Sequence, residues 1–149
     1  MIASDLTLRV VRPVIPFCER TKFKGFTYGV GPAGYDIRIN EDIEIASGEF
    51  KLASSFERFK MPNNMLGVVH DKSTRARVGL CVQNTVIEPG WKGFLTLELT
   101  NHSKDIIKIQ KLTPIAQVIF HILDYNTSQP YEGKYQNQAS GPQEAIFEE

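Results

Sequence analysis

Two cysteines in 149 residues, Cys18 and Cys81, are too few and too far apart for a disulfide framework or a C-x-x-C metal knuckle. A reducing compartment, the cytoplasm, is the expected setting. An excess of one charge is also missing, because 17 Lys and Arg balance 17 Asp and Glu. Such a chain has no global field to hold a polyanion, so no nucleic-acid partner is expected, and phosphate binding requires a local cluster. No apolar run approaches a membrane span, and Met1–Asp5 lacks the basic-then-apolar layout of a signal peptide, so no membrane partner is expected either. The three histidines, His70, His102 and His121, form no H-E-x-x-H, and no H-x-E is joined to a P-C-x-x-C. Ser73 has no G-x-S-x-G elbow around it, and the Walker A and Rossmann glycine patterns are absent.

What is present is a folded composition, 42% hydrophobic and 23% charged, of a length that suits one domain over residues 1–149. Short apolar segments alternate with a period of two. In Tyr35–Asn40, Tyr35, Ile37 and Ile39 share one face, with Asp36 and Arg38 opposite. In Phe94–Thr100, Leu95, Leu97 and Leu99 oppose Phe94, Thr96, Glu98 and Thr100. Ile106–Ile109 reads as a further strand, and Ile115–Leu123 as a nearly continuous one buried on both faces. Gly, Pro and Asn punctuate these runs about every ten residues, which predicts an all-β sandwich, jelly roll or distorted barrel. One segment breaks the period. Asp71–Val78 begins with an N-cap residue type and stops at Gly79, predicting a two-turn helix set into the β domain. Residues 126–149 carry no apolar period and read as an arm, either mobile or ordered by a ligand or a neighbouring subunit.

Chemistry has few places to sit. On the helix, Ser73 and Arg77 are four apart and share a face, with Lys72 beside the first turn. That end is either a phosphate seat or a solvated basic cap on the barrel, and residue types alone favour the cap. Glu88 enters a turn and Glu98 lies on the strand leaving it. If those strands pair as a hairpin, both carboxylates approach one cleft; otherwise both are surface charges. Glu98, between Thr96 and Thr100 on its face, is expected to be partly desolvated, which raises a carboxyl pKa and suits a proton shuttle. Trp91 is either a core anchor or a stacking wall for a sugar or base. His121 reads as a core histidine, and the two cysteines as packing residues.

Five segments in order resemble the dCTP deaminase branch of the trimeric dUTP pyrophosphatase superfamily: Ala33-Gly-Tyr-Asp-Ile-Arg38, His70-Asp-Lys-Ser-Thr-Arg-Ala-Arg-Val-Gly-Leu80, Val86-Ile-Glu-Pro-Gly-Trp-Lys-Gly93, Pro114-Ile-Ala-Gln117 and Tyr131–Pro142. The resemblance implies a distorted jelly-roll or β-barrel of the dUTP pyrophosphatase type with one short inserted helix. It implies hydrolysis of dCTP to dUTP and ammonia, the dUTP feeding dUMP and dTTP synthesis. Glu98 matches the family's catalytic glutamate, with Ser73 and Arg77 orienting its water. Glu88 stands where the superfamily has an aspartate against the sugar 3′-hydroxyl, and Trp91 at an aromatic position beside the sugar. Lys72, Thr74, Tyr131, Lys134 and Gln138 match triphosphate- and base-contacting positions, and Gln117 a phosphate contact. Also implied are Mg2+ bound through the triphosphate, no zinc, a homotrimer with shared active sites, and an arm at 126–149 closing over the nucleotide. The stretch from Gly79 to Ile87 is short, nearer the pyrophosphatases, and leaves open a bifunctional enzyme giving dUMP or a dUTP pyrophosphatase.

Overall fold

The structure is a computed structural model describing residues 1–149. A helix α1 (Asp5–Val11) precedes strands β1 (Val14–Ile15), β2 (Thr21–Phe23), β3 (Phe26–Gly31), β4 (Gly34–Arg38), β5 (Ile43–Ile45), β6 (Phe50–Lys60) and β7 (Met65–Asp71). After helix α2 (Ser73–Ala76) come β8 (Leu80–Val82), β9 (Val86–Ile87), β10 (Lys92–Asn101), β11 (Ile107–Ile109) and β12 (Pro114–Ile122). Two antiparallel sheets, ordered β1-β6-β10-β8 and β2-β3-β4-β12-β7-β9, curl around one core, with β11-β5 as a separate ribbon. No helix is long and apolar enough to cross a membrane.

The period-two reading describes β10 well. Leu95, Leu97 and Leu99 are buried, while Phe94, Thr96, Glu98 and Thr100 are half-buried on the other face. On β4, Tyr35 and Ile37 are fully buried as expected, and Ile39 just beyond it is too. Arg38, expected on an outer face, is buried instead. Its Nε donates to Glu57 Oε1 at 2.7 Å and its backbone N–H to Glu57 Oε2 at 2.8 Å. The guanidinium lies against the Tyr28 and Phe56 rings, 4.2 and 4.6 Å from their centroids. A buried carboxylate and guanidinium are tolerable here because each satisfies the other.

Three expectations need correction. The helix is one turn shorter than expected and does not start at Asp71, which remains in β7 opposite Ala116. The Asp71 carboxylate accepts the Val82 N–H at 2.7 Å, so it fastens β8 instead of capping α2, whose N-cap is Lys72. A single turn has little macrodipole, so a phosphate seat at its start, the alternative to the basic cap, has to rest on side chains. His121 is half-exposed on the edge of β12's outer face, not a core residue. β12 itself is buried on one face only at its second half, since Gln117, Ile119 and His121 are half-exposed. The helix also ends before the expected glycine: α2 stops at Ala76 with Arg77 as its C-cap, and Gly79, at φ +93°, lies in the turn into β8, where a Cβ would come 2.8 Å from the Ser103 side chain.

Candidate active site

β10 carries the centre of the site. Its pairing with β6 shifts register between Phe94 and Thr96, a bulge whose unpaired Leu95 N–H is taken by the Ser55 hydroxyl at 2.8 Å. Beyond the bulge, strand alternation sends Thr96 and Glu98 to the same face, into a cavity of about 470 Å3. That volume lies in the range of small-molecule pockets. Leu52 and Phe50 of β6 form one wall, Ile87, Glu88 and Trp91 another, and the C-terminal arm a third through Tyr131, Tyr135, Gln138 and residues 143–145.

Glu98 is about half buried and belongs to none of the chain's ion pairs. Burial raises its carboxyl above the ordinary glutamate range, opposed only by a backbone hydrogen bond within the residue itself. Its backbone carbonyl accepts the Gln83 N–H at 3.0 Å, which brings the segment after β8 alongside. Glu88 reaches the same cavity by a route the sequence did not suggest. Its strand β9 pairs with β7 and makes no hairpin with β10, and the Pro89–Gly90 turn carries the chain back to Trp91. Gly90 takes φ +84° in that turn. Trp91 is 6% exposed: it packs on Phe59 in the core, as one of its two expected roles had it, and also lines the cavity.

The arm is ordered against its own chain. Trp91 Nε1 donates to Tyr135 O at 2.7 Å, Asn137 N to Lys92 O at 2.8 Å, and Phe94 N to Gln138 O at 3.0 Å. Gln138 runs parallel to Gly93, where φ is +151° and a Cβ would lie 2.8 Å from Gln138 N, so only glycine lets the arm approach this closely. The Gln138 amide nitrogen donates to Phe94 O at 2.8 Å and Thr96 Oγ1 at 2.7 Å.

Of the expected site residues, the cavity thus gathers Glu98, Glu88, Trp91, Tyr131 and Gln138. Thr96, Thr85 and Glu144 line it without having been singled out; only Thr96's place on the Glu98 face could have pointed to it. Ser73, Thr74 and Arg77 are exposed on or beside α2 and line no part of this cavity, nor do Lys72, Gln117 or the exposed Lys134. Gln117 stands opposite both Asp36 and His70 across the larger sheet. Lys72 Nζ is held there by Asp36 Oδ2 at 2.7 Å. Burial pushes the Asp36 carboxyl up despite that contact. The neighbouring Arg75 is spent on structure, donating to Pro114 O and Thr113 Oγ1 beneath the Phe26 ring. The chain therefore displays a carboxylate-lined pocket holding no Lys or Arg and, apart from it, a polar face around α2 that carries Lys72 and Arg77.

Comparison with known proteins gives this arrangement a family. A family model described as dCTP deaminase-like matches residues 36–123. The dCTP deaminase of Campylobacter jejuni subsp. jejuni is 34% identical over 156 residues, covering 83% of this chain and 84% of that protein. The dCTP deaminase of Nautilia profundicola is 34% identical over 174 residues, covering 92% and 94%. Among solved structures, native EIAV dUTPase superposes with a TM-score of 0.57 at 27% identity, covering 77% of this chain and 91% of its own. A mutant dUTPase from phage phi11 of S. aureus, described with a structural Mg(II) ion, shares the fold at a TM-score of 0.59 and 14% identity, covering 78% and 91%. With a family match across more than half its length and a third of its residues shared with curated dCTP deaminases, the chain belongs to the dCTP deaminase-like family.

Proposed function

We propose that the protein hydrolyses dCTP to dUTP and ammonia, with Glu98 as the proton shuttle. The observation that carries this reading is Glu98 itself: a half-buried carboxylate, raised by desolvation, unpaired with any cation, in a nucleoside-sized pocket beside Trp91. A base held this way is reactive near neutral pH. Glu98 takes a proton from water as the oxygen adds to C4 of cytosine, and passes that proton to N3. The proton of the new C4 hydroxyl then travels through Glu98 to the amino nitrogen, the C4–N4 bond breaks, and ammonia leaves the uracil 4-oxo group behind. One water is consumed and no electrons change hands. Glu88 serves the sugar 3′-hydroxyl, Trp91 packs beside the sugar, and Tyr131, Lys134 and Gln138 bring the arm onto the nucleotide. General acid–base catalysis supplies about 10²–10⁴-fold, so the rest comes from positioning and from water exclusion by the arm.

Within one chain no three His, Cys, Asp or Glu side chains group as metal ligands, and the attacking water is assigned to Glu98 as its base. Magnesium is assigned to the triphosphate, because Mg2+ keeps most of its waters and takes phosphate oxygens in preference to an all-protein cage. The pocket's carboxylates repel a triphosphate, while Arg77, Thr74 and Ser73 stand exposed elsewhere and Lys72 is shared with Asp36. A homotrimer resolves this: Ser73 and Arg77 of the partner subunit complete the pocket, and the α2 face with Lys72, Thr74 and Gln117 meets the phosphates. Incubating the protein with dCTP and Mg2+ should release ammonia and dUTP in equal amounts. Conversion of dUTP to dUMP and pyrophosphate would show a second activity, and turnover of dUTP alone would replace the deaminase reading.

A further inference from the structure

We propose that Thr96 is a positioning residue that holds the Gln138 amide in place with its Oε1 free for the base, and through it sets the preference for an amino over an oxo group at pyrimidine C4. The proposal rests on the deaminase reading above and extends it to a residue outside the proposed catalytic set. Thr96 is the first residue beyond the β10 bulge and lies two residues before Glu98 on the same cavity-lining face. Its hydroxyl oxygen accepts from Gln138 Nε2 at 2.7 Å and from the Gln143 backbone N–H at 3.0 Å.

The orientation of the Gln138 amide follows from elementary chemistry. A carbonyl oxygen only accepts, so the atom 2.8 Å from Phe94 O must be the amide nitrogen. Its second N–H goes to Thr96, and Oε1, which meets no donor within the chain, is the one free hydrogen-bonding atom of a side chain that lines the pocket. The Gln138 backbone is pinned to Gly93 and Phe94, so side-chain rotation is the only freedom left, and Thr96 removes it together with Phe94 O. With both lone pairs taken, the Thr96 hydroxyl keeps its proton for the cavity. A fixed acceptor such as Oε1 pairs with the exocyclic amine of cytosine and opposes the 4-oxo oxygen of uracil. Substrate is thereby favoured and product expelled.

Thr96→Val keeps the side-chain shape and removes the hydroxyl, and Thr96→Ser keeps the hydroxyl. Loss of one such contact is expected to raise KM for dCTP about tenfold with kcat within about threefold, while inhibition by dUTP is unchanged or tighter. The dCTP-over-dUTP preference then narrows about tenfold, and Thr96→Ser restores it. Gln138→Leu should narrow it equally, and the Thr96→Val/Gln138→Leu pair no further, because both act through one contact. In labelled wild-type protein, both Gln138 side-chain amide protons should exchange slowly by NMR, and one should become fast in Thr96→Val. A wild-type preference in Thr96→Val, no restoration in Thr96→Ser, or unchanged amide exchange overturns the proposal. If the wild type releases no ammonia from dCTP, the deaminase reading fails by itself. Calorimetric Kd values for dCTP and dUTP, with the amide exchange, then still decide the role of Thr96.

Discussion

Replacing Glu98 by Gln preserves volume and shape while removing the carboxylate proposed to carry a proton between water and base. Because Glu98 forms no ion pair, the substitution strands no opposite charge, and the loss is confined to chemistry. Removal of a general base costs about 10²–10⁴-fold, or about 2.7–5.4 kcal/mol of transition-state stabilisation, with dCTP binding retained. The same desolvation sets a pH dependence. Glu98 must be ionised to act, so wild-type kcat/KM should fall as pH drops through its raised pKa, above the ordinary glutamate value of 4.5. Stability runs the opposite way. A carboxyl raised in the folded state contributes stability that is fully present below its unfolded value and is lost as pH rises through its folded value. Glu98→Gln should therefore melt higher than wild type at neutral pH, with the difference closing below about pH 4.5. Ammonia release measured from pH 4 to 9, calorimetry with dCTP and thermal melts test all three. Turnover within a few-fold of wild type, or a variant less stable at pH 7, would refute the assignment of Glu98 as a desolvated base.

Glu57→Gln should place an amide N–H against either the Arg38 backbone N–H or its guanidinium, costing about 3–5 kcal/mol, or on the order of 10 °C in a thermal melt. Gly93→Ala should drive a Cβ into the Gln138 backbone, loosening the arm; limited proteolysis should then cut within residues 131–142 and dCTP affinity should fall. Arg77→Ala and Glu98→Gln should each be inactive alone, yet co-folding equal amounts should restore about a quarter of wild-type activity if each site takes one residue from each of two subunits. No recovery on mixing would mean that the site lies within one chain.

Some of this was local enough to read along the chain. Strand alternation is a period-two property of the backbone, so the buried faces of β4 and β10, and the place of Glu98 opposite Leu97 and Leu99, follow from residue order. Gly79 marks a left-handed turn in the same local sense, though past the end of α2. What lay out of reach were choices between distant partners. Asp71 is an equally good N-cap or strand anchor, and the Val82 N–H, eleven residues on, decides it. Arg38 enters the interior because Glu57 waits nineteen residues away, a partner with no sequence signature. The arm lacks any period because hydrogen bonds to β10, up to 47 residues away, order it instead of burial of its own apolar face. Residue order thus determined the strands and the carboxylate between them. Only the tertiary path decided which surfaces enclose that carboxylate, because enclosure depends on groups that meet in space after the chain has closed on itself.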